Sequence, residues 1–142
     1  MLPLVHAGGS WREPAAVLFD GRGSWGSGAA ARVAPGSYAI CLLCHWEDDI
    51  VQLRWPTVTG ANEVSLIEAQ LNTRRFGACD QRGLRFTRQP AADEPLDPVW
   101  RPIDPQHDSF EDPDAQQLRP WPDDPAVLCW WLPSFWGRGG LR

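Results

Sequence analysis

The residues best suited to chemistry lie together in Cys41-Leu-Leu-Cys44-His-Trp-Glu-Asp-Asp49. Two cysteines separated by two residues present both thiolates to a single ion from one tight turn, and zinc is the ion such a knuckle takes. Cys41 and Cys44 fill half of a tetrahedral zinc site, so a second ligand pair has to come from elsewhere. Two other readings stand beside it. Free cysteines are often simply buried in a core. A dithiol can also do redox work, although that role asks for a βαβ setting and a helix opening at the first cysteine. His45 is a ligand by type, but residues adjacent in sequence seldom reach one ion. Glu47, Asp48 and Asp49 suit a hard cation or an acid–base pair. More commonly such a run forms a charged turn or caps the next element. Neighbours on a strand face opposite sides, so the three cannot all serve one site, and His107 is the residue that offers to join them.

The elements around this stretch must position it. Pro35-Gly36 is a turn signal, and Tyr38-Ala39-Ile40 reads as a short strand leading into the knuckle. Val51, Leu53 and Trp55 alternate with Gln52 and Arg54, which predicts a half-buried strand. Pro56 to Asn62 is a loop. Ser65 and Glu68 form a capping box, and the helix it opens runs from Leu66 to about Phe76 and stops at Gly77. Ile67 and Leu71, extended by Val64 and Phe76, make its apolar side, while Arg74 and Arg75 complement the dipole at its C-terminal end. Cys79 beyond it reads as a thiol buried beneath the helix end or as a third ligand. Leu84 and Phe86 suggest another short extended piece.

The flanks differ in character. Residues 1–34 hold six glycines and scattered hydrophobes, and read as a largely irregular arm with one strand-like run, Ala15-Ala-Val-Leu-Phe19. From Pro90 to Pro133 there are ten prolines, and residues 93–124 carry ten carboxylates against two arginines. Proline at this density precludes long regular elements. Yet Val99, Trp100, Ile103, Phe110, Leu118 and Trp121 recur through it, which predicts an ordered strap docked on a core by its aromatic and aliphatic side chains. Ala126 to Leu132 is an apolar run of strand type. The tryptophans around it read as core, with a stacking platform for bases or sugars as the sharper alternative. Residues 137–142 form a tail. The 142-residue chain thus divides into an arm (1–34), one domain (35–136) and a tail.

Composition narrows the partners. A net charge of −5, with thirteen arginines and no lysine, argues against nucleic acid, although Arg74, Arg75, Arg82, Arg85 and Arg88 form one local basic cluster. No apolar run is long enough to span a bilayer. The first residues lack a basic stretch ahead of their short apolar one, which speaks against a signal peptide. Cytoplasm is then the expected compartment, where four cysteines stay reduced or metal-bound.

Taken together, Gly36-Ser-Tyr-Ala-Ile-Cys-Leu-Leu-Cys-His-Trp-Glu-Asp-Asp49 resembles the core of the bacterial cysteine-rich CPCC family. The likeness continues through Val51-Gln52, Gly60-Ala-Asn62, Val64 to Gln70 and Arg75-Phe-Gly77. It extends to Asp93-Glu-Pro95, Trp100-Arg-Pro102, Trp130-Trp131 and Phe135-Trp136, covering residues 35–136. The resemblance implies a zinc-ribbon-like site in which an N-terminal Cys-Pro-Cys-Cys faces the Cys41/Cys44 pair. Here no cysteine precedes Cys41, and His6 is the sole conceivable ligand in the arm.

The fold expected is therefore α+β: a small zinc-ribbon-like β core, one main helix over about 65–76, and a long proline-rich acidic strap. The function that fits is a non-enzymatic binding or structural module docking a basic protein. A metal-dependent hydrolase using Glu47, Asp48 and Asp49, and a zinc-ribbon-like nucleic-acid binder, are the alternatives.

Overall fold

A computed structural model describes residues 35–88 and 100–139. The expected arm, with Ala15–Phe19 and His6, lies outside these residues, as do Asp93-Glu-Pro95 and Val99. The first element is a tight hairpin-like turn over residues 38–48. Tyr38 N–H donates to the Asp48 carbonyl, Asp48 N–H to Ala39 and Cys41 N–H to Trp46. This pairing never becomes a strand: Ile40 and Glu47 form one isolated antiparallel bridge. Tyr38 adopts a positive φ of 62°, which breaks the extended run expected there.

Helix α1 spans Ile50–Arg54, where the alternating pattern predicts a strand. Asp49 is its N-cap, accepting from Val51 N–H, and Leu53 and Trp55 N–H groups reach back to Asp49 and Val51. The period of two is misleading because its polar members are not on a solvent face. Gln52 and Arg54 are both buried. Helix α2 spans Leu66–Phe76 with the expected ends: Ser65 accepts from Glu68 N–H, and Gly77 sits in the left-handed region at φ 96°. Its buried face differs from the expected one. Leu66, Ala69, Gln70 and Thr73 turn inward, whereas Leu71 is 48% exposed.

The remaining pieces are single 3₁₀ turns, Leu84–Phe86, Pro125–Leu128 and Trp136–Gly139. The apolar run from Ala126, expected as a strand, instead begins in the second of these, because Asp124 caps it and Pro125 occupies its first position. Among the described residues there are two α-helices and no strand or sheet, so the α+β class with a ribbon-like β core is overturned. The physical reason lies in where backbone groups find partners. A few backbone bonds close the hairpin, while side-chain amides and carboxylates, not neighbouring strands, hold Glu47 and much of the loop after α1.

The core sits between α1, α2 and the C-terminal turns. Trp46 and Trp130 are fully buried with Leu53, Leu66 and Leu128. Trp130 meets Trp100 and Trp131 edge to face, and its Nε1–H donates to the Arg101 carbonyl. Segment 100–124 packs over this core as a strap. Ile103 is buried and Phe110 lies against Phe135, whereas Leu118 and Trp121 stay about half exposed. No helix among the described residues is long and apolar enough to cross a membrane.

Candidate metal centre and the carboxylate block

The sequence Cys41-Leu-Leu-Cys44 folds into a closed turn: His45 N–H donates to the Cys41 carbonyl at 2.8 Å. His45 takes the left-handed conformation at φ 68°, reversing the chain so that Trp46 can pair with Cys41. Leu43 N–H points at the Cys41 sulfur, 3.3 Å away. Both thiols are buried. Burial pushes the Cys41 thiol up, but donation from Cys44 and the amides of Leu43 and Cys44, with Arg88 nearby, outweigh it and leave Cys41 below its ordinary value. Cys44 goes the other way, raised by burial and by its thiolate-prone neighbour. The turn therefore concentrates donors on one sulfur, which is what an anionic ligand requires.

Cys79 comes close without joining. Its N–H donates to the Cys44 carbonyl at 2.8 Å, and its thiol is pushed to about 12 by burial, then by Asp80 and Cys41. Cys129 is likewise pushed to about 12, by burial first and then by Asp48 and Asp124. The His45 ring stacks on Phe86. Among the described residues, no group of three or more His, Cys, Asp or Glu side chains could hold a metal ion. The donor set present thus fits half of a zinc site, with Cys41 and Cys44 as its members.

The carboxylates do something else. Asp48 Oδ2 accepts from the N–H of Gly36, the N–H of Ser37 and the Ser37 hydroxyl, all within 2.9 Å. Burial outweighs these donors and raises its carboxyl above the ordinary value. Asp49 Oδ1 caps α1, and its Oδ2 accepts from Ala61 N–H. Asp48 thus ties down the entry to the turn, and Asp49 ties α1 to the following loop. His107 is remote in role, pairing with Asp104 at 2.7 Å on the exposed strap.

Two polar residues whose part was not foreseen complete this scaffold. The Asn62 amide accepts from Glu47 N–H and donates to the Glu47 carbonyl, holding that residue as a neighbouring strand would. Gln52 accepts from Asn62 N–H and Nδ2 through Oε1, while its Nε2 donates to the carbonyls of Val58 and Val64. Gly60 lets the loop pass over this hub, since an added Cβ would collide with Asp49 Oδ2 and meet Gln52 Cγ. The signal was an amide at each of two positions that the period assigned to solvent or loop.

A second unforeseen feature joins α1 to the strap. Arg54 Nε donates to Glu111 Oε1 at 2.8 Å and its Nη2 to the Arg119 carbonyl at 2.7 Å. The guanidinium lies 4.5 Å from the ring centres of Trp55 and Trp121 and 5.2 Å from that of Trp136. Burial raises Glu111, but Arg119 N–H and Arg54 hold its carboxyl below the ordinary value. Two arginines of the basic cluster noted in the sequence are exposed but engaged. Arg82 pairs with Glu63, and Arg85 lies over the Phe86 ring.

Residues 29–94 match the family model described as Cysteine-rich CPCC. The match ends before Trp100-Arg-Pro102 and the closing tryptophans, which lie outside it. No curated protein and no solved structure matches the chain.

Proposed function

From the match of residues 29–94 to the Cysteine-rich CPCC family model, we propose that the protein is a non-enzymatic docking module whose acidic strap engages a basic protein. The observation that carries this reading is the division of labour among carboxylates. Asp48 and Asp49 are engaged on backbone donors inside the fold. Asp112, Asp114, Asp123 and Asp124 are exposed on the strap beside exposed Leu118 and Trp121. Between Trp100 and Leu128 there are seven carboxylates and two arginines. With Glu111 buried on Arg54 and Asp108 paired with Arg101, five carboxylates remain toward the surface. Such a surface steers a basic partner electrostatically, and an aromatic ring beside it supplies contact area. Capture of partners by the immobilised full chain at low and high salt tests it. A basic partner whose retention falls as salt rises supports the reading. No enrichment over a charge-matched control protein overturns it.

The amide-to-sulfur geometry at Cys41 favours a second, compatible reading: the Cys41/Cys44 turn contributes two thiolates to a zinc ion completed from outside the described residues. Metal content of the purified full chain, compared with Cys41→Ser, tests it. About one zinc per chain, lost in the variant, supports it. No zinc in the unsubstituted protein refutes it. The hydrolase reading is not retained, because Asp48 and Asp49 hold backbone groups in place instead of converging on an open position.

A further inference from the structure

The exposed apolar residues are unevenly placed. Of eight large hydrophobic side chains exposed among the described residues, five fall in two short segments: Tyr38, Ile40 and Leu42, and Leu84 and Phe86. These segments lie side by side. Arg88 N–H donates to the Leu42 carbonyl, Phe86 stacks on His45 at 4.8 Å, and Gly83 packs against the same His45 side chain. The two segments meet at Leu42 and at the His45–Phe86 stack beside the cysteine turn, with Ile40 at 45%, Leu42 at 43% and Phe86 at 52% exposure. Contiguous apolar surface of this kind is usually covered by something.

We infer that this surface is the docking site of the chain's own segment Ala15–Phe19. Three observations select that occupant. First, the described chain begins there: Asp48 pins Gly36 and Ser37, the two residues ahead of Tyr38. Second, the segment is apolar: Ala15-Ala-Val-Leu-Phe19 is an uninterrupted hydrophobic run within residues 1–34. Third, it reaches. The residues from Asp20 to Ala34 are rich in glycine and alanine and, at about 3.3 Å per residue, span roughly 50 Å when extended, more than the way back to a surface beside their own exit. A tether of that length gives a high local concentration, so modest apolar contact suffices for occupancy.

The experiment uses the full chain with p-benzoylphenylalanine at position 18, irradiated at low and high protein concentration, with crosslinked peptides mapped by mass spectrometry. Hydrogen exchange is followed in parallel for the unsubstituted chain and for Leu18→Asp/Phe19→Asp, both changes lying outside the described residues. The inference expects intramolecular crosslinks to residues 38–42 or 84–88. It also expects amide exchange in those segments to quicken by at least about tenfold in the double variant, with α2 unchanged. Crosslinks that map elsewhere, or that join two chains, overturn it, as does an exchange pattern identical in both proteins. Exchange quickened throughout α2 as well would show a global effect and overturn it too.

Discussion

Replacing Arg54 by alanine is the most informative single perturbation of this fold. Its side chain is 1% exposed and that of Glu111 6%, so the pair lies effectively out of water. Removing the guanidinium leaves the Glu111 carboxylate with Arg119 N–H and the Trp55 side chain but without a compensating charge. Breaking a buried pair in this way costs about 3–5 kcal/mol, and loss of the ring contacts adds roughly 1 kcal/mol. Domains of this size are stable by about 5–15 kcal/mol, so the variant should sit near the edge of folding. With a urea m-value of about 2 kcal/mol/M, a 4 kcal/mol loss displaces the midpoint by about 2 M. The assay is urea unfolding followed by tryptophan fluorescence, for Arg54→Ala, Glu111→Ala and the double variant. The cycle should return a coupling of about 2 kcal/mol or more, since the two residues share hydrogen bonds. Arg54→Met with Glu111→Leu should recover most of the loss, because a packed apolar pair needs no desolvated charge. A cost below about 1 kcal/mol for Arg54→Ala, or additive single changes, would refute the assignment of Arg54 as the tie between α1 and the strap.

Other consequences follow from the same structure. Asn62→Ala strands both backbone groups of Glu47 and should cost about 2–4 kcal/mol in the same unfolding assay. Gly77→Ala should cost about 1 kcal/mol, although its Cβ would meet nothing within 4 Å, because the penalty lies in the positive φ alone. Glu111 is held below its ordinary 4.5 in the fold, so its contribution is complete above that value and is lost as pH falls through the folded one. Thermal melts from pH 7 to 3 should therefore show a shallower acid loss for Glu111→Gln than for the unsubstituted protein. Asp48 has the opposite sign: raised in the fold, it favours the native state below its ordinary 3.8, and that contribution fades as pH rises through the folded value. Asp48→Asn should accordingly steepen the acid loss.

Helix α2 was legible because its signals are local. Ser65, Glu68 and Gly77 act on backbone groups within one turn, and the structure places the ends where they predict. Its buried face was misread because Gln70 and Thr73, polar by type, are buried. Gln70 accepts from Ile103 N–H, and the Thr73 hydroxyl donates to the Ala69 carbonyl. The β core failed for a related reason. Gln52 and Arg54 mimic the polar face of a strand, yet each meets partners from distant segments, Arg54 from 57 residues away. A period over five residues carries no information about such partners. The cysteine turn was found from spacing alone, but which of its sulfurs receives the amides is a matter of backbone conformation at Leu43 and His45. Tryptophans as core filling proved readable for Trp130 and Trp131. Trp121 remains about half exposed because its inner face already packs on Arg54 and Trp55.

The central claim is that Asp48 and Asp49 build the fold while the exposed strap carboxylates Asp112, Asp114, Asp123 and Asp124 meet the partner. It is tested most directly by measuring partner retention on two variants of the full chain, each normalised to its folded fraction. One carries Asp49→Ala; the other carries Asp112→Asn, Asp114→Asn, Asp123→Asn and Asp124→Asn together. The account expects the fourfold variant to keep its melting temperature and lose salt-sensitive retention, while Asp49→Ala loses about 1–2 kcal/mol of stability and retains its partner. Undiminished retention by the fourfold variant, or its abolition by Asp49→Ala in the folded fraction, would contradict the claim.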